Sequence, residues 1–201
     1  MSATLRRSLS LVSIALVALG AGLGASKMID SSTAATEPDF LTQAEKDFAV
    51  FRGDGTALTE DELVRVMKVG DARFGLDPNT VRAARRLPEN DVFVVLGRGI
   101  VCVLNVEKRR VGTAAGCTSL ESASNGDTPM VGYDGLMDGS TRVTGLFPDG
   151  IDGVTIETEA GMTSAPVVNS ILSLVTFDRV RSLSWRTADG LQHSLRAPAD
   201  G

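Results

Sequence analysis

Few residues of this chain could do chemistry: two cysteines, Cys102 and Cys117, one histidine, His193, and a band of aspartates, Asp134, Asp138, Asp149 and Asp152. A cysteine beside a histidine can act as a nucleophile, because the thiolate is the reactive form and the imidazole takes its proton. Nothing in the spacing brings His193 to either cysteine, and each cysteine has the other as a simpler partner. With two thiols, one intramolecular connectivity is possible. Closing a loop of this length is worth roughly 3 kcal/mol in the chain-entropy description. A Cys102–Cys117 disulfide is therefore the expectation. One histidine cannot supply a two-histidine metal site, and the sequence has no CxxC pair, no GxSxG elbow and no GxxxxGK[ST] phosphate loop. No catalytic residue, metal ligand, cofactor or ligand-binding residue is assigned.

The remaining charged groups have plain alternatives. Residues 121–159 hold eight acids and one arginine. Calcium takes oxygen ligands of this kind, but the spacing lacks the order of an EF-hand, and Asp beside Gly is what turns use. His193 could be the base of a Ser-His-Asp set. Its alternation with Leu191 and Leu195 makes a half-buried strand residue the expectation. Arg82, Arg85 and Arg86 could bind an anion, or could be a solvated helix end where cations suit the dipole. Arg98, Lys108, Arg109 and Arg110 could touch an anionic polymer, or mark a solvated hairpin. The solvated reading is preferred for both sets.

The N-terminus reads as an address. Arg6 and Arg7 precede an uncharged, Leu- and Val-rich run over residues 8–25 that ends in small residues. A basic start, an apolar middle and a small-residue exit describe a signal peptide. The same run is just long enough to stay as a single membrane anchor. Either way the rest of the chain is extracytoplasmic, secreted or anchored by residues 8–25, where thiols oxidise. Residues 26–38 read as a flexible linker. The net charge of -5 argues against a nucleic-acid partner.

Two subregions follow, helical over 39–89 and β-rich over 90–198, expected to form one domain. Leu41, Ala44, Phe48 and Phe51 recur at helical spacing. Thr59 and Glu62 form a capping-box pattern ahead of Leu63, Val66, Met67 and Gly70. Asp77-Pro78 opens a third expected helix with Val81, Ala84 and Leu87 as its stripe. Val92–Leu96 and Ile100–Val106 read as a covered hairpin around a three-residue loop, Gly97-Arg98-Gly99. The stretch from Gly112 to Ser140 reads as long loops. Strands are expected at Arg142–Phe147, around Val154–Thr158 and Thr163–Val167, and at Ile171–Val175. The last hairpin permits a register choice. Only a three-residue loop lets the apolar residues share a face, pairing Trp185 with His193 and Leu183 with Leu195. The fold class is α+β, with N-terminal helices packed on a mainly antiparallel β-sandwich or partly open barrel.

Several segments together resemble a family of exported proteins of high-GC Gram-positive bacteria. They are Phe48-Ala49-Val50-Phe51-Arg52, Ala84-Arg85-Arg86-Leu87, Val92 to Val95 with Val101-Cys102, and Gly116-Cys117. Val143-Thr144-Gly145-Leu146-Phe147-Pro148-Asp149-Gly150-Ile151 follows, with Val154-Thr155, Val167-Val168-Asn169 and Trp185. The resemblance implies export and paired cysteines and carries no activity. The expected function is a noncatalytic extracytoplasmic domain that binds a protein or cell-envelope component. The alternatives are the outer sensory or structural part of a single-span membrane protein, and a hydrolase built on an unrecognised carboxylate pair. Fractionation of the native host with N-terminal sequencing tests export. The expected product lies outside the cytoplasm, starting either near Ser26 or at Met1. Intact, reduced protein in the cytosol contradicts this reading.

Overall fold

The computed structural model describes residues 39–53, 58–69, 74–108 and 113–198. The signal or anchor segment, the linker, Gly70, Arg109 and Arg110 lie outside the described residues. Among the described residues no helix is long and apolar enough to cross a membrane.

Helices α1 (Phe40–Asp47), α2 (Ala49–Arg52) and α3 (Glu60–Val69) open the fold. Asp39 caps α1 through the N–H groups of Leu41 and Thr42. Phe48 leaves helical geometry and separates α1 from α2. The capping box of α3 forms as expected: Thr59 N–H donates to Glu62 Oε2 at 2.9 Å, and Glu62 N–H donates to Thr59 Oγ1 at 3.3 Å. The Arg86 guanidinium beside Glu62 holds its carboxyl down at about 2.

The strands form two antiparallel sheets. The first runs β1 (Arg82–Arg86), β2 (Asn90–Leu96), β3 (Ile100–Glu107), β4 (Thr113–Ser119). A short helix α4 (Leu120–Ser124) leads to β5 (Met130–Gly135), β6 (Thr141–Leu146), β7 (Gly153–Thr158), β8 (Met162–Val168), β9 (Ile171–Thr176), β10 (Val180–Arg186) and β11 (Gln192–Arg196). The second sheet orders them β11-β10-β7-β8-β9-β6-β5 and curls into a half-barrel. This is the α+β architecture that the sequence pattern implies.

Three apolar clusters hold the layers. Val143, Phe147, Ile156, Leu172, Leu183 and Trp185 fill the half-barrel. Phe48, Phe51, Val92, Val94, Leu96, Leu146 and Ile171 pack between the two sheets. Val66 of α3 covers Phe93, Val95, Cys102 and Leu104 on the far face of the first sheet. The last hairpin has the expected register, Trp185 opposite His193 and Leu183 opposite Leu195. Asp189-Gly190 lies within its loop, where Gly190 takes a φ of 87° that other residues avoid. The cysteines also meet as expected. Cys102 and Cys117 are cross-strand partners on β3 and β4, joined by a disulfide with Cα atoms 4.1 Å apart.

Three local expectations are corrected. The helix expected from Asp77 is one 3-10 turn, Pro78–Thr80, followed by strand β1. Asp77 does cap it, through Asn79 N–H. Thr80 Oγ1 then accepts from Leu96 N–H at 3.0 Å, which lays the chain along the open edge of β2. The fully buried β2 needs a partner there, and that demand outweighs helix propensity. The stretch read as loops from Gly112 contains β4, α4 and β5. Small residues hid β4: a Cβ on Gly116 would lie 2.4 Å from Met130 Cε, so packing excludes the larger residues that announce strands. The β2–β3 hairpin pairs Leu96 with Val101, one residue off the three-residue loop. Both strands are buried on both faces, so a slip of one violates no apolar pattern, and the sequence leaves this register open.

Asp149 joins the helices to the second sheet. Its Oδ1 accepts from Ala49 N–H at 3.0 Å, its carboxylate pairs with Arg52, and its own N–H donates to Asp47 O at 2.9 Å. Ser170 Oγ also accepts from Ala49 N–H, at 2.8 Å. The Arg52–Asp149 pair is solvent-exposed, where screening leaves an ion pair little net worth. The backbone bond at the start of α2 is the larger part. Asp149→Ala should therefore cost about 1–2 kcal/mol, and Arg52→Ala less than half as much, in denaturant titration. Equal losses would show that the charge pair, not the cap, is what matters.

Candidate functional site

Two clefts adjoin strand β5, and Tyr133 lines both. The inner cleft lies in the seam between the sheets. Strand register sets its layout. Leu96, Val94 and Val92 on β2, with Val101 and Val103 on β3, face Leu146 and Met130 and close one end with apolar packing. Toward the other end the same rows become Asn90 and Asn105 on the first sheet, and Thr144, Arg142 and Asp134 on the second. Asn105 Nδ2 crosses the seam, donating to Asp134 Oδ2 at 2.7 Å and to Thr144 Oγ1 at 3.1 Å. Asn90 Nδ2 donates weakly to Asn105 Oδ1 at 3.4 Å. A cleft of about 230 Å³ opens here, bounded by Val103, Asn105, Gly116, Met130, Asp134 and Thr144. Gly132 helps to leave it open: a Cβ there would meet only Thr144 O, at 3.9 Å.

Burial pushes the Asp134 carboxyl up from its ordinary range; the bond from Asn105 and the charge of Arg142 oppose this, and Glu107 adds to it. Arg142 lies directly across from Asp134 and is only 6% exposed. Its Nε has no hydrogen-bond partner among the described residues, and neither has Asn90 Oδ1. Buried polar atoms without partners are costly and uncommon in folded proteins.

The outer cleft is the mouth of the half-barrel, about 330 Å³, lined by Tyr133, Gly139, Thr141, Phe177, Arg179, Val180, Ala197 and Pro198. Phe177 is 75% exposed at its lip. Arg179 makes no ion pair with the described residues. The Tyr133 hydroxyl is buried without a hydrogen-bond partner among the described residues, and burial pushes it up to about 12. It is therefore a neutral hydroxyl at any physiological pH. Aromatic faces, a cation and a hydroxyl around an open barrel end suit binding.

The other candidate residues are dispersed. His193 stacks on Trp185 at 5.8 Å, with Asp127 3.7 Å away and Thr187 Oγ1 at 3.4 Å from Nε2. The order carboxylate, imidazole, hydroxyl is that of a Ser-His-Asp set, but Asp127 is beyond hydrogen-bond distance and the hydroxyl is a threonine's that donates to Asp189 Oδ1 at 2.5 Å. Both cysteines are consumed in the bridge. Asp138 accepts from Ser140 and Asp149 serves the helix clamp, so these acids do turn and capping work. Among the described residues no three His, Cys, Asp or Glu side chains gather as a metal site requires. Arg86 does not lie on a helix end. It pairs with Glu62 and Asp91 and sits over the Phe93 ring. Arg82 donates to the carbonyls of Asn79 and Val81. Arg98 and Lys108 stand at opposite ends of β3, so they form no basic cluster. Lys108 is 3.3 Å from Asp91.

Sequence reasoning named Asp134 only as part of an acidic band, and missed Asn105, Tyr133, Phe177 and Arg179 altogether. It read Arg142 as the start of a strand. The available signal was polar residues, Asn105 and Arg142, inside apolar strand runs. Compared with protein-family models, curated proteins and solved structures, the chain finds no match.

Asp134 offers a direct check on the seam. Its value is raised on folding, so the folded protein holds the proton more tightly than the unfolded chain. The stability this gives is present at acid pH and is lost as pH rises through the folded value. Asp134→Asn keeps an oxygen to accept from Asn105 and removes the charge. It should raise Tm at neutral pH by about 1–3 °C, with the gain closing as pH falls through the carboxylate range. A loss of Tm at neutral pH would contradict the burial cost.

Proposed function

We propose that this is an exported, noncatalytic binding domain, which holds a protein or cell-envelope ligand at the mouth of its half-barrel. One observation carries the reading: the mouth is open and combines an exposed aromatic ring, Phe177, an arginine without an ion pair among the described residues, Arg179, and Tyr133, whose buried hydroxyl has no hydrogen-bond partner among the described residues. Phe177 has nothing to gain from exposure in a free protein, since burying such a ring is worth about 1.5–3 kcal/mol. A contact surface gives it a partner.

Export is supported by the N-terminal pattern and agrees with the Cys102–Cys117 bridge, because disulfides persist in oxidising compartments. The resemblance to exported proteins of high-GC Gram-positive bacteria points the same way. If residues 8–25 stay attached, the domain is the outer part of a single-span protein and the same mouth serves a sensory or structural role. A hydrolase is the second class of reading. Asp134, raised by burial and further by Glu107, is the carboxyl that favours it. Against it, Asp134 is engaged by Asn105, and Arg142 is its nearest counter-charge.

The test uses full-length protein recovered from an expressing high-GC Gram-positive host. It is incubated with cell-wall polysaccharide, membrane vesicles and surface-protein extract from that host. One fraction should retain it, and Phe177→Ala and Arg179→Ala should each weaken retention at least about tenfold with Tm unchanged. No retention on any fraction, or retention untouched by both substitutions, overturns the reading.

A further inference from the structure

We infer that the outer edge of β11 takes an extended acidic peptide segment of another protein, added to the second sheet as one more antiparallel strand. The site is separate from the barrel mouth, whose lining does not include Arg186, Gln192, Ser194 or Arg196.

Hydrogen-bond phase comes first. β11 is the last strand of the second sheet, and among the described residues no strand pairs with its far side. Thr187 N–H donates to Leu191 O at 2.9 Å, and Ala197 N–H donates to Arg181 O at 2.9 Å. Between these two bonds the register with β10 runs without a shift. Bonded and non-bonded pairs alternate along an antiparallel ladder. His193 and Leu195 therefore turn their N–H and C=O toward β10, and Gln192, Ser194 and Arg196 turn theirs away from it. Three donors and three acceptors stand in a row, which ends at Pro198, a residue with no N–H. Bulges and neighbouring elements commonly blunt such edges. The register of β1 with β2 shifts between Ala83 and Arg85, and β4 and β5 adjoin one another, with Met130 over Gly116. The edge of β11 has neither protection among the described residues.

Charge selects the occupant. Leu183 and Trp185 face the half-barrel core, so Arg186, across from Gln192, lies on the outer face with Gln192, Ser194 and Arg196. Both arginines are exposed, and neither forms a salt bridge with the described residues. Glu157, opposite Ser182 in register, accepts from the Ser182 hydroxyl at 2.8 Å. A second copy laid antiparallel on this edge would gather two sets of these arginines on one face. An acidic strand meets them with opposite charge. In the bonded register its acids stand opposite Gln192, Ser194 and Arg196. The residues between them turn inward beside His193 and Leu195, and Leu195 packs on the half-barrel core, so apolar side chains suit those places. The preferred occupant is a segment in which acidic and apolar residues alternate, held by main-chain bonds and sorted by its side chains.

The test is fluorescence anisotropy of the full-length protein with a labelled peptide, Glu-Val-Glu-Val-Glu-Val-Glu, followed by amide hydrogen exchange of the complex. The expected result is saturable binding below about 100 μM and new protection of the Gln192, Ser194 and Arg196 amides. Lysine in place of the glutamates should abolish binding. So should N-methylation of the glutamate amides, which face β11, whereas N-methylation of the valines should be tolerated. Ser194→Pro removes an outward N–H and no bond to β10, and should weaken binding at least about tenfold. Arg196→Glu, an exposed change, should do the same and decides alone if Ser194→Pro does not fold. Phe177→Ala should leave binding unchanged. Absence of saturable binding, unprotected amides in the complex, or affinity untouched by Arg196→Glu overturns the proposal. Binding that survives N-methylation of the glutamates, or that inorganic polyphosphate reproduces with Ser194→Pro having no effect, shows a contact of charge alone and overturns it too.

Discussion

Among the described residues the two sheets share no backbone ladder, so the fold depends on what is wedged between them. Phe48 and Phe51 supply the wedge. Both are fully buried, their rings meet edge to face at 6.4 Å, and they belong to the same buried cluster as residues of both sheets. Two short helices could not hold such a position by propensity, since helices this brief are marginal alone. Asp149 and Ser170 hold them by taking the N–H of Ala49 at the break between α1 and α2. Ser170 stands in a tight turn where Asn169 and Ser170 both take positive φ, at 52° and 66°. That strain is tolerated because the turn is bonded on both sides, through Ala49 and through Phe147 N–H to Ser170 O.

Phe48 to Arg52, Gly145 to Ile151 and Val167 to Asn169 are far apart in the chain and adjacent in the fold. Their shared work is structural: they set the spacing of the sheets at one end. The other end of the seam is then free to be polar. Thr144 and Leu146 are two residues apart on one strand face, yet Leu146 belongs to the apolar lock and Thr144 to the polar floor. The disulfide has a comparable part on the first sheet. It fixes β4 beside β3, and β4 keeps Gly116 where Met130 needs room.

Much of this was legible in the sequence where one choice of register or cap clearly beats the next. The Thr59–Glu62 box and the Trp185–His193 pairing are of that kind, since the competing arrangement leaves a donor open or buries a polar face. Legibility failed where several arrangements cost the same. The β2–β3 hairpin is apolar on both faces, so its register is decided by the turn at Gly97 to Ile100, not by pattern. The segment Arg82–Arg86 carries a weak helical stripe, and only the open edge of β2 makes it a strand. The candidate site was the least legible part. Asp134, Arg142 and Asn105 are distant in sequence, and nothing local marks them as neighbours. Their juxtaposition follows from two sheet registers and from the wedge that sets the sheet spacing.

Cohesion across the seam is thus the central claim, and unfolding followed by two probes tests it most directly. Trp185, the single tryptophan, reports on the half-barrel through fluorescence, while calorimetry reports on the whole chain. If Phe48 and Phe51 weld the sheets, both signals change in one transition with a common midpoint, and the calorimetric and van't Hoff enthalpies agree. Two separated transitions, with the tryptophan following only one of them, would show that the sheets stand independently and would contradict the account.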